Sequence, residues 1–177
     1  SVKVGRQFIT TPLVAGSGSR MIKQAFEGAT IVNTDIPNTT LAAGVVTKYQ
    51  NRTSSNGYFL ENANVAATKA TVVDGDAPEF RRLTANGDYA YTILAINKSI
   101  PGLTLTGQWA QVENVVDDYY AEAAYAGKAG EIAYGLAANY LLSAFDIAGQ
   151  DDGKMYGAKA SIGYGDLNAY VAYTKIT

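Results

Sequence analysis

The chain has 177 residues, 14 basic and 16 acidic side chains, a formal charge of −2, and neither cysteine nor histidine. That composition removes disulfide frameworks, thiolate metal sites and the commonest zinc ligand and general base. With positive charge neither in excess nor clustered, it also lacks the electrostatic signature of a nucleic-acid binder.

Taken from the N-terminus, residues 2–8 alternate weakly between apolar and polar, and a longer link over 9–24 follows. Residues 25–34 alternate again and end at the turn Asp35–Asn38, where Ile36-Pro37-Asn38 breaks the pattern. At 41–49, Leu41, Ala43, Val45 and Tyr49 oppose Gly44, Val46, Lys48 and Gln50. The longest link, 52–86, leads to a weaker strand at 88–98, the turn Ser99–Gly102, and a further strand at 103–112. After a link at 113–118, Tyr119, Ala121, Ala123 and Tyr125 alternate with Tyr120, Glu122, Ala124 and Ala126. Beyond Lys128–Gly130 the pattern is clearest: Ile132, Tyr134, Leu136, Ala138, Tyr140 and Leu142 share one face. A link at 143–154 precedes Tyr156, Ala158, Ala160, Ile162 and Tyr164, which face away from Met155, Gly157, Lys159, Ser161 and Gly163. The turn Gly165–Asp166 joins this strand to the last, 167–173.

Nine candidate strands result, many near the nine to eleven residues, roughly, that a tilted strand needs to cross a bilayer. Short and long connections interleave, as in an outer-membrane barrel. The apolar faces are rich in alanine and in the chain's 13 tyrosines, whereas a soluble sandwich, the competing expectation, should favour bulky aliphatics. Lipid-facing strands tolerate small residues and place aromatic rings at the two interfaces. Tyr134, Tyr140, Tyr156 and Tyr164 are the expected aromatic girdle. The pattern therefore predicts an all-β, transmembrane, antiparallel up-and-down β-barrel, with 1–177 as one barrel segment. Nine strands do not make an even set, and Lys175-Ile176-Thr177 lacks a terminal aromatic, so further strands are expected at one or both ends, or from another chain. No leader of basic, apolar and small residues opens the chain, so any signal peptide is expected to be removed or to lie outside this stretch.

Residues 2–52 carry VKVGRQ, then TPLVAGSGSRM, then FEGATIVNTDIPNTTLAAGVVTKYQNR. This stretch resembles the OprD-like outer-membrane porins, especially their ε-proteobacterial forms. The resemblance implies a bacterial outer-membrane location and an interior portion of a barrel of sixteen to about eighteen strands. It implies passive diffusion of small solutes, often carboxylates or amino acids, past a constriction lined by basic residues. The 52–86 link would then take the place of the loop that folds into the pore, and Arg6, Arg20 and Lys23 would extend the basic ladder.

Parity supplies pore-lining candidates independently: Lys48 and Lys159 lie opposite the apolar faces and should point inward, as should Gln50, Arg52 and Glu122. Solvated lumen residues without selectivity are the bland alternative. In the long link, Asp74, Asp76 and Glu79 are followed by Arg81 and Arg82, and opposed charges across a constriction would orient dipolar solutes. A merely solvated extracellular loop fits those charges equally well. Asp117-Asp118 and Asp151-Asp152-Gly153 resemble fragments of calcium loops without the full ligand spacing. No nucleophile elbow, SxxK motif or P-loop is present.

The expected function is that of an outer-membrane porin passing small polar, anionic or zwitterionic solutes, with no cofactor, no metal and no enzymatic chemistry. The alternative is a structural or adhesive barrel whose surface loops bind a partner. Expected partners are membrane lipid, lipopolysaccharide and small solutes, with a homo-oligomer left open and no nucleic acid.

Overall fold

The computed structural model describes residues 1–16, 24–50, 80–83, 89–147 and 149–177. Ten strands form one antiparallel sheet: β1 (Val2–Gln7), β2 (Phe26–Asn33), β3 (Thr39–Gln50), β4 (Phe80–Arg82), β5 (Ala90–Asn97), β6 (Leu103–Val112), β7 (Val116–Ala129), β8 (Ile132–Phe145), β9 (Gly153–Tyr164) and β10 (Leu167–Ile176). Nine of them follow one another as an up-and-down meander, and short β4 adds to the end of β3 beyond its pairing with β5. The all-β antiparallel architecture is the one expected from the alternation. Among the described residues, β1 and β10 are the edges of the sheet.

Both β7 and β8 contain 14 residues. At about 3.3 Å per residue such strands run about 46 Å, or about 35 Å across a bilayer at a tilt of about 40°. The turns after β2, β5, β7 and β9 lie at one end of the sheet. Gly102 and Gly165 hold positive φ there (79° and 56°), a conformation that costs glycine nothing. The links after β1, β3 and β8 lie at the other end, so the molecule has a short-turn end and a loop end.

Two expected links are shorter than the sequence suggests, and in the 143–154 link β8 runs on to Phe145 and β9 already begins at Gly153. Residues 113–118 read as a loop because two carboxylates stand together, but β7 already begins at Val116. Asn114 at φ 57° and a Val115 N–H to Val112 carbonyl bond of 3.0 Å close a tight turn. Alternation then separates the carboxylates: Asp117 accepts from the Trp109 indole at 2.9 Å and from Gln111 at 3.3 Å, and Asp118 from the Ser143 hydroxyl. Each carboxylate finds a donor on its own face.

Directly opposed residues of an antiparallel ladder share a face, and the register sorts the chain into two. One face carries Tyr134, Leu136, Ala138 and Tyr140 opposite Ile162, Ala160, Ala158 and Tyr156. It continues onto Tyr119, Ala121, Ala123 and Tyr125 of β7 and onto Ala169, Val171 and Tyr173 of β10. Leu136, Ile162 and Val171 are 58%, 55% and 68% exposed, an apolar surface that water would not stabilise. The opposite face carries Thr92, Gln108, Tyr120, Glu122, Asn139 and Lys159.

The sheet has no continuous buried core. Its densest packing is a small cluster of Ile9, Phe26, Val46, Tyr49 and Leu83 on the polar face at the loop end. This cluster depends on a β-bulge between Glu27/Gly28 and β3, where Glu27 pairs with Lys48 but Gly28 pairs with Val46. Thr47 is the extra residue, and its hydroxyl bonds the Glu27 carbonyl at 3.0 Å. A Cβ on Gly28 would stand 2.0 Å from the Val45 carbonyl oxygen, so only glycine permits this approach. Beyond the bulge, β3 presents its residues with opposite parity. Tyr49 therefore joins Phe26 on the polar face, with ring centroids 5.3 Å apart, and Lys48 turns to the apolar side beside Glu27.

Candidate pore-lining site

Neighbouring strands β6 to β10 build the central polar wall. Glu122 of β7 lies opposite Thr106 of β6 and Asn139 of β8, and Asn139 lies opposite Gly157 of β9. Tyr120, two residues before Glu122 on the same face, donates its hydroxyl to Glu122 Oε2 at 2.7 Å. Gly157 leaves room for the Asn139 amide, since a Cβ there would lie 2.5 Å from Asn139 Oδ1. Lys159 follows on β9, opposite Ala137 and Ala172, with its ammonium 4.8 Å from the Tyr170 ring centroid. Together Glu122, Asn139, Gly157, Lys159 and Thr174 line a shallow depression of about 220 Å³. A carboxylate and an ammonium thus share one wall, held by an aromatic hydroxyl and an aromatic face.

A second feature of this wall was not legible as such. The segment after β1 folds back across the polar face and is pinned by Gln108, which is only 4% exposed. Gln108 accepts from the Leu13 N–H at 3.0 Å and donates to the hydroxyls of Thr11 at 2.8 Å and Thr92 at 2.9 Å. The Thr92 hydroxyl in turn donates to the Trp109 carbonyl at 2.9 Å. The segment is tied to itself by a Thr11 N–H to Val14 carbonyl bond and a Gly16 N–H to Ile9 carbonyl bond. Beside it lies a cavity of about 230 Å³ lined by Lys3, Gln7, Ile9, Thr30, Thr92 and Leu94 among others. A glutamine on the inward-counting positions of an alternating strand was the signal; nothing in its spacing named Thr11 or Leu13 as partners.

The sequence-derived candidates divide into four groups. Glu122 and Lys159 stand on the polar face together. Lys48 does not, because the bulge reverses parity just before it, and Gln50, opposite Phe80, follows Lys48 onto the apolar side. Arg82 pairs with Lys48 and shares that side, while Arg81 pairs with Tyr49 and its side chain lies outside the described residues. Arg52, Asp74, Asp76 and Glu79 also lie outside them, as do Arg20 and Lys23. The tyrosines named as a girdle, Tyr134, Tyr140, Tyr156 and Tyr164, are exposed on the apolar face. Tyr140 and Tyr156 stack with centroids 5.9 Å apart toward the loop end, and Tyr134 meets Tyr125 at 6.1 Å toward the short-turn end. Among the described residues, no group of three or more His, Cys, Asp or Glu side chains is placed to hold a metal ion.

The family model described as outer membrane porin, OprD family, matches residues 1–177. The chain belongs to the OprD family of outer-membrane porins. Comparison with curated sequences gave no significant match. Among solved structures, Pseudomonas aeruginosa OccD3 (OpdP) superposes with a TM-score of 0.77 at 18% identity, covering 99% of this chain and 40% of that one. Acinetobacter baumannii OccAB4 gives 0.78 at 17%, covering 99% and 41%. Pseudomonas aeruginosa OccK2 (OpdF), solved in complex with glucuronate, gives 0.76 at 17%, covering 99% and 44%. The OprD-family chain thus spans less than half the length of each of these porins. The family places it in the bacterial outer membrane, where a barrel carries its apolar band outward and its polar face inward. Members of the OprD family are channels.

Proposed function

We propose that the polar wall lines a water-filled pore through which small anionic or zwitterionic solutes diffuse passively, and that the protein is a channel and not an enzyme. The observation that carries this reading is the division of one sheet into an exposed, tyrosine-bearing apolar face and an opposite face bearing Glu122, Asn139, Lys159 and a folded-back segment. A fixed charge in a narrow aqueous pore lowers the entry barrier for solutes of opposite sign. Lys159 would attract a carboxylate while Glu122, on the second strand over, would attract an ammonium group, a pairing suited to zwitterions. Support for carboxylate solutes comes from the glucuronate complex of OccK2 and the vanillate complex of OpdK, both from Pseudomonas aeruginosa and both with carboxylate ligands.

The segment pinned by Gln108 would narrow the pore near the β1–β3 wall. The long link, with Asp74, Asp76, Glu79 and Arg81, is proposed on its sequence as a further constriction, and Arg52 as a lumen residue at its base, whereas Arg82 lies in β4 on the apolar side with Lys48. Lys48 and Gln50 are left out of the pore lining.

Planar-bilayer conductance of detergent-extracted, full-length protein tests the reading. Discrete steps are expected, with a reversal potential under a salt gradient that Lys159→Glu moves toward cation preference. A folded, inserted protein that gives no conductance would replace the channel with a structural or adhesive barrel.

A further inference from the structure

We propose that the loop-side rim of the outer wall holds a binding site for the phosphate groups of an outer-leaflet glycolipid, formed by Arg6, Lys48 and Arg82 around Glu27. The inference rests on the outer-membrane placement of the chain and is independent of which solutes pass the pore.

The bulge at Glu27/Gly28 creates the cluster. By turning Lys48 outward it brings three cationic side chains to one patch, with Glu27 the single carboxylate between them among the described residues. Glu27 Oε1 accepts from Lys48 Nζ at 3.0 Å and Glu27 Oε2 from Arg6 Nε at 3.5 Å. The Arg6 guanidinium lies 4.3 Å from the centroid of Phe80, which orients it. Arg82, exposed, stands opposite Lys48 in the ladder. Glu27 positions two of the cations but cannot neutralise all three, so the described residues of the patch carry a net positive charge. A phosphate matches it, since guanidinium groups bind phosphate oxygens in pairs and an ammonium adds a point charge.

Depth selects a lipid as the source of that phosphate. Val4, Ala29 and Val45 lie below the patch on the same face, and Val45 is the register partner of Tyr91, so the cations begin where the apolar wall ends. Charge on a lipid-facing strand is costly at mid-depth and tolerated near the interface. The distribution around the wall is one-sided. On the outer face of the described strands the cations are Arg6, Lys48, Arg82, Lys154 and Lys175, all at the loop end. The outer face at the short-turn end, including Asn33, Asn97, Leu103, Ile132, Tyr164 and Leu167, carries none among the described residues. Such asymmetry fits a bilayer whose outer leaflet presents anionic phosphate groups at headgroup level.

Native mass spectrometry of the full-length, detergent-extracted protein tests this, using bisphosphorylated lipid A, a dephosphorylated lipid A with the same acyl chains, and inorganic phosphate. The phosphorylated lipid is expected to remain bound. Combined Arg6→Ala, Lys48→Ala and Arg82→Ala should weaken its retention about tenfold or more, with binding of the dephosphorylated lipid unchanged. Glu27→Gln, which removes the competing carboxylate, should strengthen it about threefold. Equal binding of the two lipids would reduce the site to acyl-chain contact and overturn the proposal. Displacement by inorganic phosphate at comparable concentration would reveal a generic anion site and overturn it as well. Should the triple variant fail to fold, judged by heat-modifiable electrophoretic mobility, Lys48→Ala alone and Glu27→Gln decide: opposite shifts support the site, and no shift in either removes it.

Discussion

The two halves of the sheet obey the same alternation but use it differently. From β5 to β10 the register runs without a break, and every residue keeps the face its parity assigns. In β1 to β4 a single bulge interrupts the ladder, Gly5 (φ 106°) pairs with Gly28 beside it, and side chains beyond it change sides. The regular half builds a wall. The irregular half supplies the small buried cluster, the folded-back segment and the cationic rim. Alternation alone makes a surface, and a fault in alternation is what lets one strand serve both faces.

The largest test of this contrast is at glycine. Gly28→Ala should destabilise the folded protein by about 2–4 kcal/mol through a backbone clash, measured by thermal or denaturant unfolding in detergent. Gly107→Ala, in the regular half with nothing within 4 Å of its added Cβ, should stay within about 0.5 kcal/mol. Equal effects at the two positions would erase the distinction.

Gln108→Leu removes a side chain with three hydrogen bonds to the backbone and hydroxyls around it. It should weaken the anchoring of residues 9–16 by about 1–3 kcal/mol, and single-channel conductance should rise as the segment leaves the wall. Unchanged conductance with a faster-exchanging Leu13 amide would mean that the segment does not limit flow.

A smaller effect separates the two lysines. Lys159→Glu should alter the anion-to-cation permeability ratio about two- to fivefold, from a two-unit charge change at about 7 Å in a high-dielectric, salt-screened pore. Lys48→Glu should leave that ratio where it was. A response from Lys48 matching that of Lys159 would place both in the pore and refute the parity reversal. Within the regular half, Tyr140→Ala loses the stack on Tyr156 and should cost about 0.5–1.5 kcal/mol beyond the lost burial, read by thermal unfolding in detergent.

Much of the architecture was legible because a strand's period of two is written residue by residue. Tyr134, Leu136, Ala138 and Tyr140 needed only parity to be placed on one face, and the turn residues marked where the chain reverses. Parity likewise put Glu122 and Lys159 together on the opposite face. Asp117 and Asp118 were misplaced in a loop because their donors, Trp109, Gln111 and Ser143, become neighbours only through pairing. Lys48 and Gln50 were assigned inward because parity was counted through Thr47 as though no residue were extra.

By itself, then, the sequence determined the strand class, the meander and the tyrosine-bearing wall, since these depend on short-range periodicity and on turn chemistry. Only the tertiary structure decided which face Lys48 serves, that Gln108 holds Thr11 and Leu13, and that Arg6, Glu27, Lys48 and Arg82 meet. Those outcomes depend on register across strands, and a register can slip by one residue at a bulge while the local pattern on either side stays intact.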